Sequence, residues 1–361
     1  MSTHSPTRRD AGFTLVELMV AMTITLIVLA GTVLAMTNAR RASETARAVT
    51  TMNSNLRTGM DLMVRDFLQV GQGLPAGRVV AVPNGPGATP IVRPGPPGVA
   101  LTFDPASPVL SAVTPGPGLG PVLNGTPTDI VNVLAADPNF ENVNLTALDA
   151  QSMTVATTVN ITDGGADDIR VGDLIMLTKG ASSALMYVTR VSGQTVFFDP
   201  GDPMNLNQYD PGLAMLGTLD QHRATAPAEV PSPTFVPSVA TRLRLITYYI
   251  DAVTDPAVPR LVRRINADAG RTVGFDLENL QLTYDLADGV TNPANVRMDA
   301  NDLGGGGACA PDPCSPNQIR KINVFLAGRS GSRYQLTNDF LRNSLATQVS
   351  LRSMAFVDRY R

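Results

Sequence analysis

The apolar run from Phe13 to Met36, preceded by Gly12, constrains this chain more than any other stretch: GFTLVELMVAMTITLIVLAGTVLAM. As a helix its 24 residues would measure roughly 36 Å, enough to cross a hydrocarbon core of about 30 Å. No proline interrupts it, and Gly31 is tolerable within it. Such a segment folds as a membrane helix. One residue disagrees with its surroundings, because Glu17 lies near the start of the run. An acidic side chain at mid-bilayer costs about 2.5–3.5 kcal/mol on insertion scales, and less near the edge. A plain anchor explains the length and leaves Glu17 unexplained.

The flanks carry two arginines each, Arg8 and Arg9 before the run and Arg40 and Arg41 after it. The positive-inside rule therefore leaves the orientation undecided. A secretory signal peptide fits poorly, since the run is too long for an ordinary h-region and "VLAM" or "TNAR" would be poor cleavage sites. A twin-arginine signal at Arg8-Arg9 lacks support from the surrounding "PTRRDAG".

The formal charge of the 361 residues is −3, and losing residues 1–12, with Arg8, Arg9 and Asp10, would make it more negative still. Without a basic run there is no electrostatic footprint for nucleic acid. Catalytic raw material is thin: the histidines are His4 and His222, and the cysteines are Cys309 and Cys314. No nucleophile-elbow motif accompanies His222, which lies in the polar, Pro-rich "LDQHRATAPAEVPSP" and fits a solvated loop. Two cysteines and one distant histidine fall short of a zinc ligand set. "DGGADD" at residues 163–168 lacks EF-hand spacing and fits a turn better than a calcium loop. The expectation is no enzyme, no cofactor and no metal.

Gly12-Phe13-Thr14-Leu15-Val16-Glu17 resembles the class III signal of type IV pilins and pseudopilins. The resemblance implies that a membrane prepilin peptidase cuts between Gly12 and Phe13 and that Phe13 is then N-methylated. It also implies that Glu17 is the glutamate this family keeps inside its apolar helix for assembly. The four-residue step from Phe13 to Glu17 would put a new terminal amine and the carboxylate on one helix face. In a helical stack, Glu17 of an incoming subunit could then pair with the Phe13 amine of a neighbour. Many major pilins carry a proline within this helix, and here there is none.

Helical periodicity continues past the apolar run through Ala42, Ala46, Val49, Met52, Leu56, Met60, Met63, Phe67 and Val70. Arg41, Glu44, Arg47, Arg57, Arg65 and Asp66 fall mostly elsewhere around the helix. Gly71 and Gly73, with Pro75 behind them, end the pattern. A single helix from Phe13 to about Val70 would be on the order of 87 Å long, with the amphipathic half packed on its own head. Residues 74 to 127 are too rich in Pro and Gly for helix, though short strands such as "GVALTF" fit there. "DIRVGDLIMLTKG" and "SSALMYVTRVSGQTVFFD" alternate as in a small barrel or meander.

Beyond the Pro-rich "APAEVPSPTFVP", "TRLRLITYYID" and "PRLVRRIN" form a predicted strand pair, followed by strands in "LENLQLTYDL", "IRKINVFLAG" and "ATQVSLRSMAF". This succession resembles the carboxy-terminal part of PilW-type minor pilins and of the minor pseudopilin J group. The long middle of the chain favours the PilW type. Cys309 and Cys314, in the loop "GGGGACAPDPCSP", fit a disulfide outside the cytoplasm better than free thiols or metal ligands.

The expected fold class is α+β, a long amino-terminal helix carrying a β-rich pilin-like head. The expected divisions are a leader at 1–12, a transmembrane and filament-core helix at 13–36 and its amphipathic continuation at 37–73. A Pro/Gly-rich and β-rich insert at 74–235 and a β-rich core at 236–361 complete the chain. The resemblance implies a minor pilin that joins or primes a pilus, residing in the inner membrane with its head in the periplasm before assembly and at the cell surface afterwards. Its partners would be prepilin peptidase, other pilins and the inner-membrane assembly machinery. A type II secretion pseudopilin and a membrane-anchored adhesin remain as alternatives.

Overall fold

The computed structural model describes residues 13–75, 77–83, 89–140, 142–149, 151–155, 169–179, 182–208, 238–334 and 337–356. His4, His222, the "DGGADD" turn and the Pro-rich stretch ahead of residue 238 lie outside them.

A long apolar helix followed by a β-rich head makes the α+β architecture. Helix α1 runs unbroken from Leu15 to Leu68 (54 residues). Among the described residues nothing packs against its apolar half, and Leu15, Ile27 and Leu34 are all exposed. Its second half buries Met52, Leu56, Met60, Met63 and Phe67, the predicted stripe. Ala42 and Ala46, at the start of that stripe, stay exposed because the head closes over the helix only further along. Gly59 marks the closest approach, where a methyl group would stand 3.0 Å from Leu261 and 3.3 Å from Leu326. The helix stops at Leu68, and Gly73 follows with φ +72. Glycine is required there twice over, since a β-carbon would also lie 2.5 Å from the Ala136 methyl.

The Pro/Gly-rich segment is a series of short antiparallel strands: β1 (Val79–Ala81), β2 (Val92–Arg93), β3 (Leu101–Thr102), β4 (Val109–Ser111), β5 (Val113–Gly116), β6 (Val122–Leu123) and β7 (Thr126–Pro127). Longer strands come next: β8 (Ile130–Ala136), β9 (Val143–Asp149), β10 (Ser152–Val155), β11 (Leu174–Lys179) and β12 (Ser182–Tyr187), then the short β13 (Arg190–Ser192) and β14 (Thr195–Phe197). The last group is β15 (Val239–Asp251), β16 (Arg260–Ile265), β17 (Arg271–Phe275), β18 (Leu277–Leu286), β19 (Ile319–Tyr334) and β20 (Asp339–Ser350).

Strand β15 is the hub of an 11-stranded sheet. Its first half pairs with β11 and β9, and its second half with β8 and β16, all antiparallel. Both faces of β15 are covered, so nearly every residue of VATRLRLITYYID is buried, and the sequence does not alternate. The predicted pairing of β15 with β16 is present, with Ile250 opposite Leu261. A second sheet has the order β18-β19-β20. On β18, Leu280, Leu282, Tyr284 and Leu286 point inward, and on β19 Ile322, Val324 and Leu326 do the same. These side chains share one core with the helix stripe and one face of the large sheet. A separate core around Met153, Ile175, Met186 and Phe198 fills the region of β9 to β14. Buried Asp129 joins the two sheets, accepting from Leu282 N at 2.7 Å, Gly118 N at 2.8 Å and Arg297 Nη2 at 2.8 Å.

Candidate functional site at the amino terminus

Helix α1 begins with a reciprocal cap. Thr14 is the N-cap, in extended conformation (φ −77, ψ 152), and its hydroxyl accepts from Glu17 N at 3.2 Å. Glu17 returns the contact. Its Oε2 accepts from Thr14 N at 2.9 Å and from Thr14 Oγ1 at 3.0 Å. The first-turn amides would otherwise be orphaned donors, and a negative charge there also suits the helix dipole. The Thr-x-x-Glu signature of this box stands in the sequence at Thr14 and Glu17.

The cap changes the expected geometry. Phe13 precedes the N-cap and is outside the helix, so Phe13 and Glu17 do not share a helix face. Glu17 instead folds back to the amide of Thr14, one residue along from the nitrogen that cleavage after Gly12 would free. Both contacts use Oε2, and Oε1 takes no hydrogen bond from the described residues. The carboxylate can thus cap its own helix with one oxygen and offer the other to a cation. Gly12 itself, with Arg8 and Arg9, lies outside the described residues.

The rest of the span keeps its polar groups satisfied internally. Thr25 Oγ1 donates to Ala21 O at 2.7 Å, Thr32 Oγ1 to Leu29 O at 2.8 Å and Thr37 Oγ1 to Val33 O at 2.6 Å. Hydroxyls bonded to the preceding turn need no partner from lipid or from a neighbouring helix. Phe13 is 88% exposed and the most apolar window of α1 is 0% buried within the protein. This surface must be covered by something other than the head.

At the other end of α1 the helix is locked to the head. Asp66, one of the charged residues that fall mostly away from the apolar stripe, is nevertheless buried and pairs with Arg263 of β16, Nε to Oδ2 at 2.6 Å and Nη2 to Oδ1 at 3.1 Å. The Tyr248 hydroxyl donates to the same carboxylate, and the Tyr248 ring meets Phe67 edge-on at 6.0 Å. Burial, reinforced by the Asp66 charge, pushes the Tyr248 phenol well above its ordinary range, so it remains a donor. Burial works against the Arg263 charge, but the Asp66 hydrogen bonds and charge outweigh it and raise its pKa. Asp66 lies one residue before Phe67 and three after Met63, at the edge of the buried stripe. That position is the signal that could have placed it inward.

Cys309 and Cys314 are joined in a disulfide, with Cα atoms 5.5 Å apart. It closes the loop that follows the short helix α2 (Ala300–Leu303). Among the described residues no group of three or more His, Cys, Asp or Glu could hold a metal ion.

Residues 7–33 match a family described as the prokaryotic N-terminal methylation motif. No curated protein and no solved structure matches the chain. The matched segment contains Gly12, Phe13, Thr14 and Glu17 together with most of the exposed apolar half of α1. Motif and helix together support a type IV pilin-like protein, pilin or pseudopilin, anchored in a membrane by this helix and structural in role.

Proposed function

We propose that the chain is a minor type IV pilin of the PilW type, a structural subunit that joins or primes a pilus. The observation that carries this reading is the capped, fully exposed apolar helix with one carboxylate at its start. In this reading prepilin peptidase cuts Gly12–Phe13, Phe13 is N-methylated, and the helix from Phe13 to Met36 leaves the inner membrane for the filament core. The apolar surface is then covered by other pilin helices in place of lipid. Glu17 binds the Phe13 amine of a neighbouring subunit through the oxygen that its own cap leaves open. The head stands in the periplasm before assembly and on the pilus afterwards. A disulfide between Cys309 and Cys314 suits that oxidising location. The strands that the middle of the chain adds to the large sheet around β15 favour a minor pilin over a compact pseudopilin.

Co-expression with a prepilin peptidase tests the processing step. Mass spectrometry is expected to show loss of Met1 to Gly12 and a methylated Phe13. An intact leader, or cleavage near Ala35, would overturn the reading. Replacing Gly12 with a bulky residue is expected to leave the unprocessed protein in the inner membrane.

A further inference from the structure

The end of the head nearest the apolar span has a chemistry of its own. The β19–β20 hairpin runs beside α1 toward the membrane half of the helix. Leu326 packs at Gly59, Asn343 Nδ2 donates to Asn53 Oδ1 at 2.7 Å, and Ser332, Arg333, Tyr334 and Leu341 lie further down still. There Ser332, Arg333, Tyr334 and Leu341 face Arg41 and Glu44 across a cleft of about 170 Å³. That is below the roughly 300–1,000 Å³ of a typical small-molecule pocket, and suits a single small polar group.

Its height above the membrane follows from the continuity of α1. Arg41 is five residues past Met36, about 7.5 Å along the axis, at the outer edge of a leaflet's polar layer on the order of 5–7.5 Å thick. Helical side chains lean toward the amino terminus, which here means toward the bilayer. Arg40, Arg41 and Arg47 have no carboxylate within ion-pair distance among the described residues, and Arg333, beyond that distance from Asp339 but within reach of its charge, donates to Asn338 O at 3.0 Å. Arg342 is already engaged by Glu278 at 2.7 Å and Asp339 at 3.2 Å. Glu44 and Asp339 are the acidic groups on these two segments, outnumbered by the arginines. Arg333 and Arg329 lie over the Phe340 ring at 5.3 and 4.2 Å, and Tyr334 is half-buried beside them. Arginine with tyrosine at this depth is the composition of an interfacial belt. The chain as a whole is acidic, so this excess of positive charge is local.

We propose that the described ends of β19 and β20 beside α1, Ser332–Tyr334 and Leu341, form with Arg40 and Arg41 a foot that binds the phosphates of anionic phospholipid headgroups in the leaflet facing the head. The inference rests on the reading of α1 as a membrane anchor. The foot fixes the tilt of the head while the subunit waits in the membrane, and it lets go when the helix is drawn into a filament. Each arginine near an anionic surface strengthens attachment by roughly fivefold, and salt weakens it.

The chain contains no Trp, so Tyr334→Trp creates a single fluorescent reporter at the foot. The full chain is reconstituted into vesicles of phosphatidylcholine alone or with one-third phosphatidylglycerol, each doped with a headgroup-nitroxide lipid. Flotation with the vesicles reports the anchor, and quenching of the reporter reports the foot. The expected result is flotation in both, with quenching several-fold stronger on the anionic vesicles and relieved by salt. Arg41→Gln with Arg333→Gln is expected to remove that difference, and the corresponding lysine changes to keep most of it. Equal quenching on the two vesicle types, with the chain floating, overturns the foot and leaves the anchor standing. Displacement by millimolar inorganic phosphate but not by chloride of equal ionic strength would overturn the lipid assignment in favour of a free-phosphate site. A chain that does not float overturns the anchor and the foot with it.

Discussion

Arg263 grips Asp66 through two parallel hydrogen bonds, 2.6 and 3.1 Å long, across 197 residues of sequence. One partner sits in the last turn of the anchor helix and the other on the strand beside the hub of the large sheet. The helix is thereby coupled to the head through a charged clamp as well as through the Met52–Phe67 stripe.

The clamp predicts a marked asymmetry between single and double substitutions. Asp66→Ala leaves Arg263 and the Tyr248 hydroxyl without their acceptor, and is expected to cost about 3–5 kcal/mol. Asp66→Leu combined with Arg263→Met removes both charges and is expected to recover much of that loss. Denaturant unfolding of the full chain in detergent measures both. A single-variant cost below 1 kcal/mol would show that the clamp contributes little.

Asp251 gives the head a dependence on acid pH. Its burial would raise its pKa, but hydrogen bonds from Thr254, Arg260 and Val253 overcome that and hold it at about 2. The ordinary value in an unfolded chain is 3.8. A carboxylate with a depressed folded pKa contributes stability that is complete above the unfolded value and is lost as pH falls through the folded one. The head is therefore expected to lose stability between about pH 4 and pH 2. Asp251→Asn is expected to flatten that limb, as read by thermal melts across the range. An unchanged slope in the variant would assign the acid sensitivity to other carboxylates.

The Cys309–Cys314 bridge spans only a five-residue separation. The chain-entropy account gives so small a loop about 2 kcal/mol. Reduction is expected to loosen the loop after α2 while leaving the two sheets folded, which hydrogen exchange can resolve. Alkylation of the native protein purified without reductant is expected to find no free thiol, and labelling of both cysteines would contradict an oxidised native loop.

Much of this architecture was legible in the residues. The apolar run and the Met52–Phe67 stripe specify one continuous helix, because each face reports its own solvent. Strands β18 and β19 were equally plain, since they bury one face and alternate. Strand β15 was recognisable as a strand but not as a hub. Burial on both faces erases alternation, and its pairings with β8, β9 and β11 are long-range contacts that no local pattern encodes. Asp66 misled for a related reason: a charge is ordinarily solvated, and its partner Arg263 is remote in sequence. At the amino terminus Glu17 stands out as a cost, while the Thr-x-x-Glu spacing is the signal of its bond to Thr14.

That bond supplies the sharpest test of the pilin reading. Glu17 has two possible tasks, capping its own helix and neutralising a neighbour's terminal amine, and two substitutions separate them. Glu17→Gln keeps a capping-box acceptor and removes the charge, whereas Glu17→Ala removes both. Neither change touches the Gly12–Phe13 bond at which cleavage is proposed, or the apolar span, so processing and membrane residence are expected to survive in each. The measurement is the amount of processed subunit in sheared filaments relative to wild type. Because an unpaired charge buried in the filament core costs about 3–5 kcal/mol, both variants are expected to fall by roughly a hundredfold or more. Recovery of Glu17→Gln at the wild-type level would contradict the account, reducing Glu17 to a helix cap in a simple anchor.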